Sequence, residues 1–419
     1  MLKQILLFTF IVITLSACVQ KDIKTFVTEN RVDIRTISPD STDYSDLQAI
    51  GKAIGDSRIV MLGEQDHGDA PTFLAKTRLI KYLHEQKGFN VLAFESDFFA
   101  LNEGWDRLAK TRTDIDGFLP DNIFSIWTKC EQCGNLLYSY IPKTYKDNKS
   151  LVITGFDSQV HGTYSLANLK IYIDSFLKRQ HVKFTGTGKY KKDFYSFIDS
   201  IKYNKDIQKQ RNFKEALKQI INELSTVDTA VFEMMLLKSL KANAESEISL
   251  LSKGNDYLEI RDKQMAENLR WLLKYKFPNE KIIVWAHNIH ILKNPKLMDN
   301  PVWKWRNMGD FFTADKQLYA KTYVLGFNSR TGTAGRITND KKFTVQPPVK
   351  NSFETWIPET IPYAFVDFKQ FRTENPSAKT YFFMKGSFHN ACSGLWTDMF
   401  DGIFYIRDMY PCTLVKIKN

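Results

Sequence analysis

Residues 58–95 read RIVMLGEQDHGDAPTFLAKTRLIKYLHEQKGFNVLAFE, and this stretch decides the fold class. Residues 58–62 form a short β-branched and apolar run that is typical of a buried strand, and residues 90–94 form a second one. Between them, apolar residues over 72–86 recur at helical spacing, and Gly88 follows as a helix-ending residue. This strand–helix–strand unit predicts a parallel pair of strands joined by a right-handed crossover.

Buried strands are also predicted farther along the chain. The runs with strand-like composition are 150–156, 281–286, 318–327, 380–384 and 402–406, with a glycine-containing hairpin near 331–347. Helical spacing dominates the region of about 165–276, which lies between two of these strands and therefore predicts a helical insertion. The predicted fold class is α/β, with a central, mixed, mainly parallel sheet flanked by helices.

The composition is that of a globular protein with a basic surface. Hydrophobic residues make up 43% of the 419 residues and charged residues 25%, so the chain can bury a large core. The formal net charge is +11, but no cluster of lysine and arginine exceeds the short one at 189–192. We therefore expect no nucleic-acid partner, and a solvated basic surface is the simpler interpretation. Attraction to anionic lipid or polysaccharide is the alternative.

Residues 1–18 have the features of a bacterial lipoprotein signal peptide. A positively charged start precedes an apolar run over 5–15, and small residues stand directly before Cys18. Cleavage there would leave Cys18 for lipidation and anchor an exported protein to the membrane, in the cell envelope. An ordinary signal peptide is the alternative. Residues 19–45 are predicted to be a polar tether, and residues 46–419 the folded domain.

The four other cysteines are Cys130, Cys133, Cys392 and Cys412. An even number in an exported protein favours disulfides, although free thiols stay possible. A zinc site is a weaker alternative, because the second pair lacks the short spacing of a zinc knuckle.

Titratable residues follow four of the predicted strands. They are Glu64, Asp66 and His67 after the first strand, Glu95 after the second, Asp157 after the strand over 150–156, and His287 and His290 after the strand over 281–286. In an open α/β sheet the carboxyl ends of the strands share one edge, and ligands bind there. We therefore expect these side chains to converge into one polar site.

Several motifs, taken in order along the chain, resemble those of the erythromycin esterase family. The stretch from 46 to 68 resembles the opening of that family, whose signature is a Gly-Glu-x-Thr-His-Gly turn. Later matches are Gly155-Phe156-Asp157, Arg261-Asp262 with Met265-Ala266-Glu267-Asn268, Trp285-Ala286-His287-Asn288, Met308-Gly309, Gly326-Phe327 and the segment 400–406. The resemblance covers about 45–415.

The resemblance implies a catalytic arrangement for the site. The family hydrolyses the ester of a macrolide lactone without an obligatory covalent intermediate. His67 would be the general base that activates water, and Glu64 and Glu95 would orient it and stabilise its charged form. His287 and Arg261 would bind or polarise the ester carbonyl. A small-molecule ester or lactone would be the substrate, and no cofactor is expected.

Other side chains of the site are predicted to contact the substrate. These are Asp66, Asp157 and His290. Asp66 stands where the family usually has a small hydroxyl residue, which puts a second carboxylate beside His67. The segment of about 160–255 matches the family poorly, so the substrate is what the resemblance transfers least well.

Three other functions fit the same residues. A lipoprotein that binds haem or another flat ligand would suit the aromatic content of 14% and would show a visible absorption band. A metal-dependent hydrolase could use His287 and His290, although their spacing is not the His-Glu-x-x-His pattern. In an inactive envelope scaffold, the polar residues would form only a structural network. A serine hydrolase is not predicted, because the sequence has no Gly-x-Ser-x-Gly turn.

Overall fold

A computed structural model of the chain describes residues 22–300, 305–339 and 341–415. Its strands are β1 (Val32–Asp33), β2 (Ile59–Leu62), β3 (Phe89–Asp97), β4 (Val152–Asp157), β5 (Lys281–Trp285), β6 (Thr322–Gly335), β7 (Lys342–Thr344), β8 (Tyr363–Asp367), β9 (Phe382–Met384), β10 (Cys392–Gly394) and β11 (Gly402–Met409). The helices of seven or more residues are α1 (Ile23–Asn30), α2 (Gln48–Ile54), α3 (Ala70–Lys87), α4 (Arg112–Asn122), α5 (Thr163–Arg179), α6 (Ile207–Glu223), α7 (Phe232–Leu251), α8 (Tyr257–Trp271) and α9 (Phe368–Glu374).

The central sheet is mixed and mainly parallel, which confirms the predicted fold class. Its strands lie in the order β1-β8-β11-β6-β2-β5-β3-β4, and β7 pairs with β6. Every neighbouring pair from β11 to β4 is parallel. In contrast, β8 runs antiparallel to β11, and β1 runs antiparallel to β8. The parallel strands therefore present their carboxyl ends at one common edge.

The strands β2 and β3 are parallel, but they are not neighbours. Strand β5 lies between them, and its Trp285 is in register with Leu62 on one side and with Phe94 on the other. The predicted parallel pair is thus correct in direction and wrong in adjacency. A strand from much later in the chain inserts between the two, and local sequence patterns do not report such long-range pairing.

Side chains of the central strands alternate between two apolar layers. Met61 and Ala93 face one layer, and their neighbours Leu62 and Phe94 face the other. Helices α1 and α5 to α8 contribute to the first layer, and α2 to α4 contribute to the second. Helices α5 to α8 lie between β4 and β5 in the chain, where the helical insertion is predicted. Burial on both faces explains why the central strands are apolar throughout.

Helix α3 connects β2 to β3 and carries one unusual residue. Pro71 lies in its first turn, and Gly88 follows its last residue with a left-handed φ of 71°. Lys76, in the middle of the helix, is completely buried. A buried lysine requires a partner, and its partner belongs to the site described below.

The predicted tether over 19–45 is wrong for the residues that the structure describes. Helix α1 buries Ile23, Phe26 and Val27 in the first apolar layer, and β1 adds a strand to the edge of the sheet. The apolar residues of this segment are spaced along one face of a short helix, which permits packing despite the polar composition. Cys18 and the predicted signal peptide lie outside the described residues.

Two later elements also differ from the sequence-based expectation. The strand predicted over 318–327 begins only at Thr322, because Lys316–Ala320 is a short helix capped by the side chain of Asp315. The strand predicted over 380–384 is β9, which pairs with β10 in a separate two-stranded sheet.

One disulfide forms among the four cysteines downstream of the signal peptide. Cys130 and Cys412 are bonded across 282 residues of sequence, whereas Cys133 and Cys392 are free thiols. This pairing leaves no four-cysteine zinc site. Within the part of the chain that the structure describes, no helix is both long and apolar enough to span a bilayer.

Candidate active site

The residues predicted to form the site meet at the carboxyl edge of the parallel strands. Glu64 lies two positions beyond the end of β2, and His287 lies two positions beyond the end of β5. Glu95 lies near the end of β3, and Asp157 is the last residue of β4. Because β2, β5, β3 and β4 are consecutive in the sheet, these polar residues lie side by side.

His67 is hydrogen-bonded to Glu64. Its Nδ1 lies 2.8 Å from Oε1 of Glu64, so the carboxylate accepts a hydrogen bond from Nδ1–H, and the lone pair of the neutral ring is on Nε2. Among the described residues, none hydrogen-bonds to Nε2. The His67 side chain is 15% exposed, whereas Glu64 is completely buried. The arrangement presents an oriented imidazole with one available basic nitrogen.

Glu64 is held by two further donors. Trp127 Nε1 donates to Oε1 at 3.0 Å, and Lys76 Nζ donates to Oε2 at 2.7 Å. The Lys76 ammonium also lies 3.9 Å from the ring centroid of Trp285. Burial lowers the pKa of Lys76, and the charge of Glu64 opposes that effect. The carboxylate that orients His67 is therefore fixed on both oxygens.

His287 has both ring nitrogens occupied by the backbone. Nδ1 accepts from the N–H of Ile289 at 3.1 Å, and Nε2 lies 2.7 Å from the carbonyl oxygen of Gln65. The ring is therefore neutral, with its proton on Nε2. Burial lowers the pKa of His287 well below its ordinary value, and the neighbouring His67 and His290 act in the same direction. For His287 to polarise an ester carbonyl, its Nε2–H would have to leave Gln65.

Glu95 connects the His287 turn to a buried arginine. Its Oε2 accepts from the backbone N–H of His287 at 3.1 Å, and its Oε1 accepts from Arg261 at 2.8 Å. Arg261 also donates twice to Asp157, at 3.0 and 2.7 Å. Burial alone would raise the pKa of Glu95, but the charges of His290 and Arg261 outweigh it and hold the pKa below its ordinary value.

His290 completes the charged cluster on the side of α8. Its Nδ1 lies 2.5 Å from Oδ1 of Asp262, and its Nε2 lies 3.3 Å from Oε1 of Glu95. Burial opposes the charged form, but the two carboxylates raise the pKa of His290. His290 therefore differs from the neutral His287, although the two rings are only 6.4 Å apart.

Asp66 directly precedes His67 and connects its turn to Arg336. Its Oδ1 accepts from Arg336 at 2.6 Å, and the side chain of Arg336 is 39% exposed. Asp66 also lines an open cavity of about 340 Å³ together with Phe343, Phe388 and His389. Phe388 lies 4.7 Å from the ring of His287, so this cavity adjoins the histidine pair. A larger cavity of about 880 Å³ lies at the opposite, amino-terminal edge of the sheet and contacts none of these residues.

All eight predicted site residues of the folded domain thus lie in one connected region. Four further residues of the site have no role that the sequence predicts: Lys76, Trp127, Asp262 and Arg336. Lys76 could have been identified because it is a charged residue within a stretch of α3 that is otherwise apolar or buried. Trp127 lies on the short helix Ser125–Thr128, and nothing in the local sequence indicates its bond to Glu64.

The described part of the chain contains no group of three or more histidine, cysteine, aspartate or glutamate side chains that could hold a metal ion. The carboxylates and imidazoles of the site are instead bonded to one another, to Arg261 and to Lys76.

Two curated relatives resemble the chain over most of their length. The putative hydrolase YbfO of Bacillus subtilis (strain 168) is 26% identical over 406 residues, which cover 88% of this chain and 88% of the relative. The erythromycin esterase type II of Escherichia coli is 26% identical over 300 residues, which cover 65% of this chain and 70% of the relative.

Solved structures share the fold at lower sequence identity. A succinoglycan biosynthesis protein superposes with a TM-score of 0.70 at 21% identity, covering 95% of this chain and 99% of the other. A histidine-to-asparagine variant of the erythromycin esterase EreC, in its open conformation, superposes with a TM-score of 0.65 at 17% identity, covering 92% and 99%.

The sequence model of the erythromycin esterase family matches residues 84–408, which is most of the chain. The match includes Glu95, Arg261 and His287, and it begins beyond Glu64 and His67. The chain belongs to the erythromycin esterase family, a family of hydrolases.

Proposed function

We propose that the protein hydrolyses a carboxylic ester or lactone by general-base activation of water, with His67 as the base. The observation that carries this proposal is the contact of His67 Nδ1 with Glu64, together with an Nε2 that no described residue occupies. A base must have its lone pair within reach of water, and its other nitrogen must be held in one tautomer.

The proposed reaction has two proton transfers. Nε2 of His67 accepts a proton from water, and the resulting hydroxide attacks the carbonyl carbon to give a tetrahedral oxyanion. The imidazolium then returns the proton to the departing alcohol oxygen as the C–O bond breaks. Glu64 stabilises the imidazolium directly, and the charge of Glu95 adds to that effect. The side of the site with His287 and Arg261 is the proposed position of the carbonyl oxygen.

A small molecule is the proposed substrate class. The cavity beside His287 has a volume of about 340 Å³, which is within the range of ligand-binding clefts. Arg336, which is bonded to the cavity-lining Asp66 and is partly exposed, can bind an acidic or hydroxylated group of the substrate. A macrolide lactone is one candidate, because a relative of the chain is an erythromycin esterase.

The experiment that tests the proposal compares three proteins on a panel of simple esters, lactones and one macrolide. His67→Ala is expected to lower the rate by about 10²–10⁴-fold, the usual contribution of a general base. The matched control is His84→Ala, because His84 bonds to Tyr140 and lines the cavity at the opposite edge of the sheet. Hydrolysis that survives in His67→Ala would overturn the assignment of the base.

We also propose that the chain is exported and anchored to a membrane by a lipid on Cys18. The N-terminal sequence supports this proposal, and so does the disulfide between Cys130 and Cys412, since disulfides persist outside the reducing cytosol. Labelled palmitate should enter the wild-type protein and not Cys18→Ala. A wild-type protein that stays unlabelled and soluble would contradict the anchor.

A further inference from the structure

The last described residues of the chain form a strap beside the turn that carries His67. Residues 410–415, called the C-terminal strap from here on, leave the sheet after β11 and run past the turn that carries His67. Cys412 N donates to the carbonyl oxygen of Gly68 at 2.8 Å, and Ala70 N donates to the carbonyl oxygen of Tyr410 at 3.1 Å. Because Gly68 directly follows His67, the strap is bonded next to the proposed base.

The other side of the strap contacts the segment that follows Trp127. Val415 N donates to the carbonyl oxygen of Lys129 at 2.9 Å, and Glu131 N donates to that of Thr413 at 2.9 Å. Lys129 lies two residues after Trp127, whose indole holds Glu64. The strap therefore joins the two backbone segments that supply the His67–Glu64–Trp127 contacts.

The disulfide is the covalent part of this connection. Cys130 is completely buried and lies three residues after Trp127, and Cys412 lies at the centre of the strap. Hydrogen bonds of Tyr410, Cys412, Thr413 and Val415 also hold the strap. The disulfide adds a covalent bond, which limits how far the strap and the segment that follows Trp127 can separate.

We propose that the Cys130–Cys412 disulfide is a positioning element of the active site, which holds Trp127 on Glu64 through the C-terminal strap. The consequence for catalysis rests on the proposed function, in which His67 is the base. The positioning itself is a statement about Trp127, Glu64 and His67, and it can be tested without any substrate.

Loss of the strap has a directional effect on His67. Glu64 shares its negative charge among His67, Trp127 and Lys76. When the indole N–H of Trp127 withdraws, more of that charge acts on His67 and favours the imidazolium over the neutral ring. The charged and titratable groups that face His67 are Glu64 and Asp66 from its own turn, Lys76 from α3, Glu95 from β3, His287 beyond β5 and Arg336 beyond β6. Among the described residues, none of these six groups forms a hydrogen bond with residues 410–415.

The experiment measures the titration midpoint of His67 by NMR in the purified protein, oxidised and then reduced by a thiol reagent. Reduction is expected to raise the midpoint by roughly half a pH unit or more, the size of effect that one hydrogen bond to a carboxylate produces. Reoxidation should restore it. Cys412→Ser should show the raised midpoint without reductant, and the reductant should then change nothing further.

Two tryptophan variants provide the matched comparison. Trp127→Phe should raise the midpoint to a similar extent, and combining it with Cys412→Ser should add little, because both changes remove the same bond. Trp105→Phe removes a buried tryptophan from the same apolar layer without a bond to Glu64, and it should leave the midpoint unchanged. If reduction and Cys412→Ser leave the midpoint at the wild-type value while Trp127→Phe shifts it, the strap does not position Trp127. If the midpoint shifts of Trp127→Phe and Cys412→Ser add fully in the double variant, the two changes act separately, and the strap again does not position Trp127.

Where the protein hydrolyses an ester, the pH profile of kcat/KM should move upward together with the NMR midpoint. If the protein hydrolyses nothing but the titration midpoint of His67 still changes when the disulfide is reduced, the proposed function is overturned and the positioning role stands. If the protein hydrolyses an ester and its pH profile of kcat/KM is the same with and without the disulfide, the proposed function stands and the positioning role is overturned.

Discussion

Replacing Glu64 by glutamine is expected to damage stability and catalysis by separate routes. Glu64 and Lys76 are both completely buried, and Nζ of Lys76 lies 2.7 Å from Oε2. The substitution keeps the shape of the side chain but leaves the buried ammonium without its counter-charge. Breaking a buried pair in this way costs about 3–5 kcal/mol of unfolding free energy. The hydrolytic rate should also fall by about 10²-fold or more, because His67 loses the carboxylate that orients it.

The stability part of this prediction has a characteristic dependence on pH. Burial lowers the pKa of Lys76, and in the variant Glu64 no longer opposes that effect. A lysine whose folded-state pKa is depressed destabilises the fold fully at low pH, and the penalty disappears as the pH rises toward about 10.4, its unfolded value. The variant should therefore recover stability between neutral and alkaline pH, relative to the wild type.

Urea unfolding at neutral pH and at about pH 9.5, with hydrolysis measured beside it, distinguishes the two effects. Lys76→Met combined with Glu64→Gln removes both charges and should regain most of the lost stability, while the rate stays low. A single variant as stable as the wild type would show that the pair is not buried and charged. A double variant that hydrolyses at the wild-type rate would show that Glu64 does not orient the base.

Three further outcomes follow from the charges in the structure. His290 and Arg261 overcome the burial of Glu95 and keep its pKa low, so its carboxylate stabilises the fold above about pH 4.3 and that stability is lost as the pH falls through the folded-state pKa. Glu95→Gln should consequently flatten the acid-unfolding curve followed by circular dichroism; an unchanged curve would argue against the ion pairs. Asp401, which directly precedes β11, is buried against Lys293 at 2.7 Å, so Asp401→Asn should lower the unfolding free energy by about 3–5 kcal/mol in denaturant titrations. KM should not change; a change in KM would link this pair to the site. Arg336→Ala should raise KM roughly fivefold in steady-state kinetics, with little effect on kcat, if its partly exposed side chain binds substrate; an unaltered KM would remove it from the binding site.

Local signals in the sequence predicted which polar residues lie at the strand ends. Glu64, Glu95, Asp157 and His287 each follow a short apolar run, and the rule that parallel strands share a carboxyl edge predicts that they meet. The same rule does not predict the order of the strands. Strand β5 separates β2 from β3, and only packing across the whole chain determines that insertion.

The side-chain contacts around the site could not be predicted from the sequence, because their partners lie far apart along the chain. Trp127 reaches Glu64 across 63 residues, and Arg336 reaches Asp66 across 270. Neither residue belongs to a pattern with a fixed spacing. The partner of Cys130 likewise lies 282 residues away, so cysteine spacing favoured a disulfide without identifying the pair.

Chemical rescue of His67→Ala tests directly whether His67 is the general base. The variant should retain the wild-type fold and lose most of its hydrolytic activity on an ester that the wild type cleaves. Added imidazole can enter beside Glu64 and supply the missing base, so the rate should rise with imidazole concentration and follow its neutral form across pH. General-base catalysis through His67 predicts that imidazole restores the rate of His67→Ala. The rate of the wild type should not change. A folded variant as active as the wild type would contradict it.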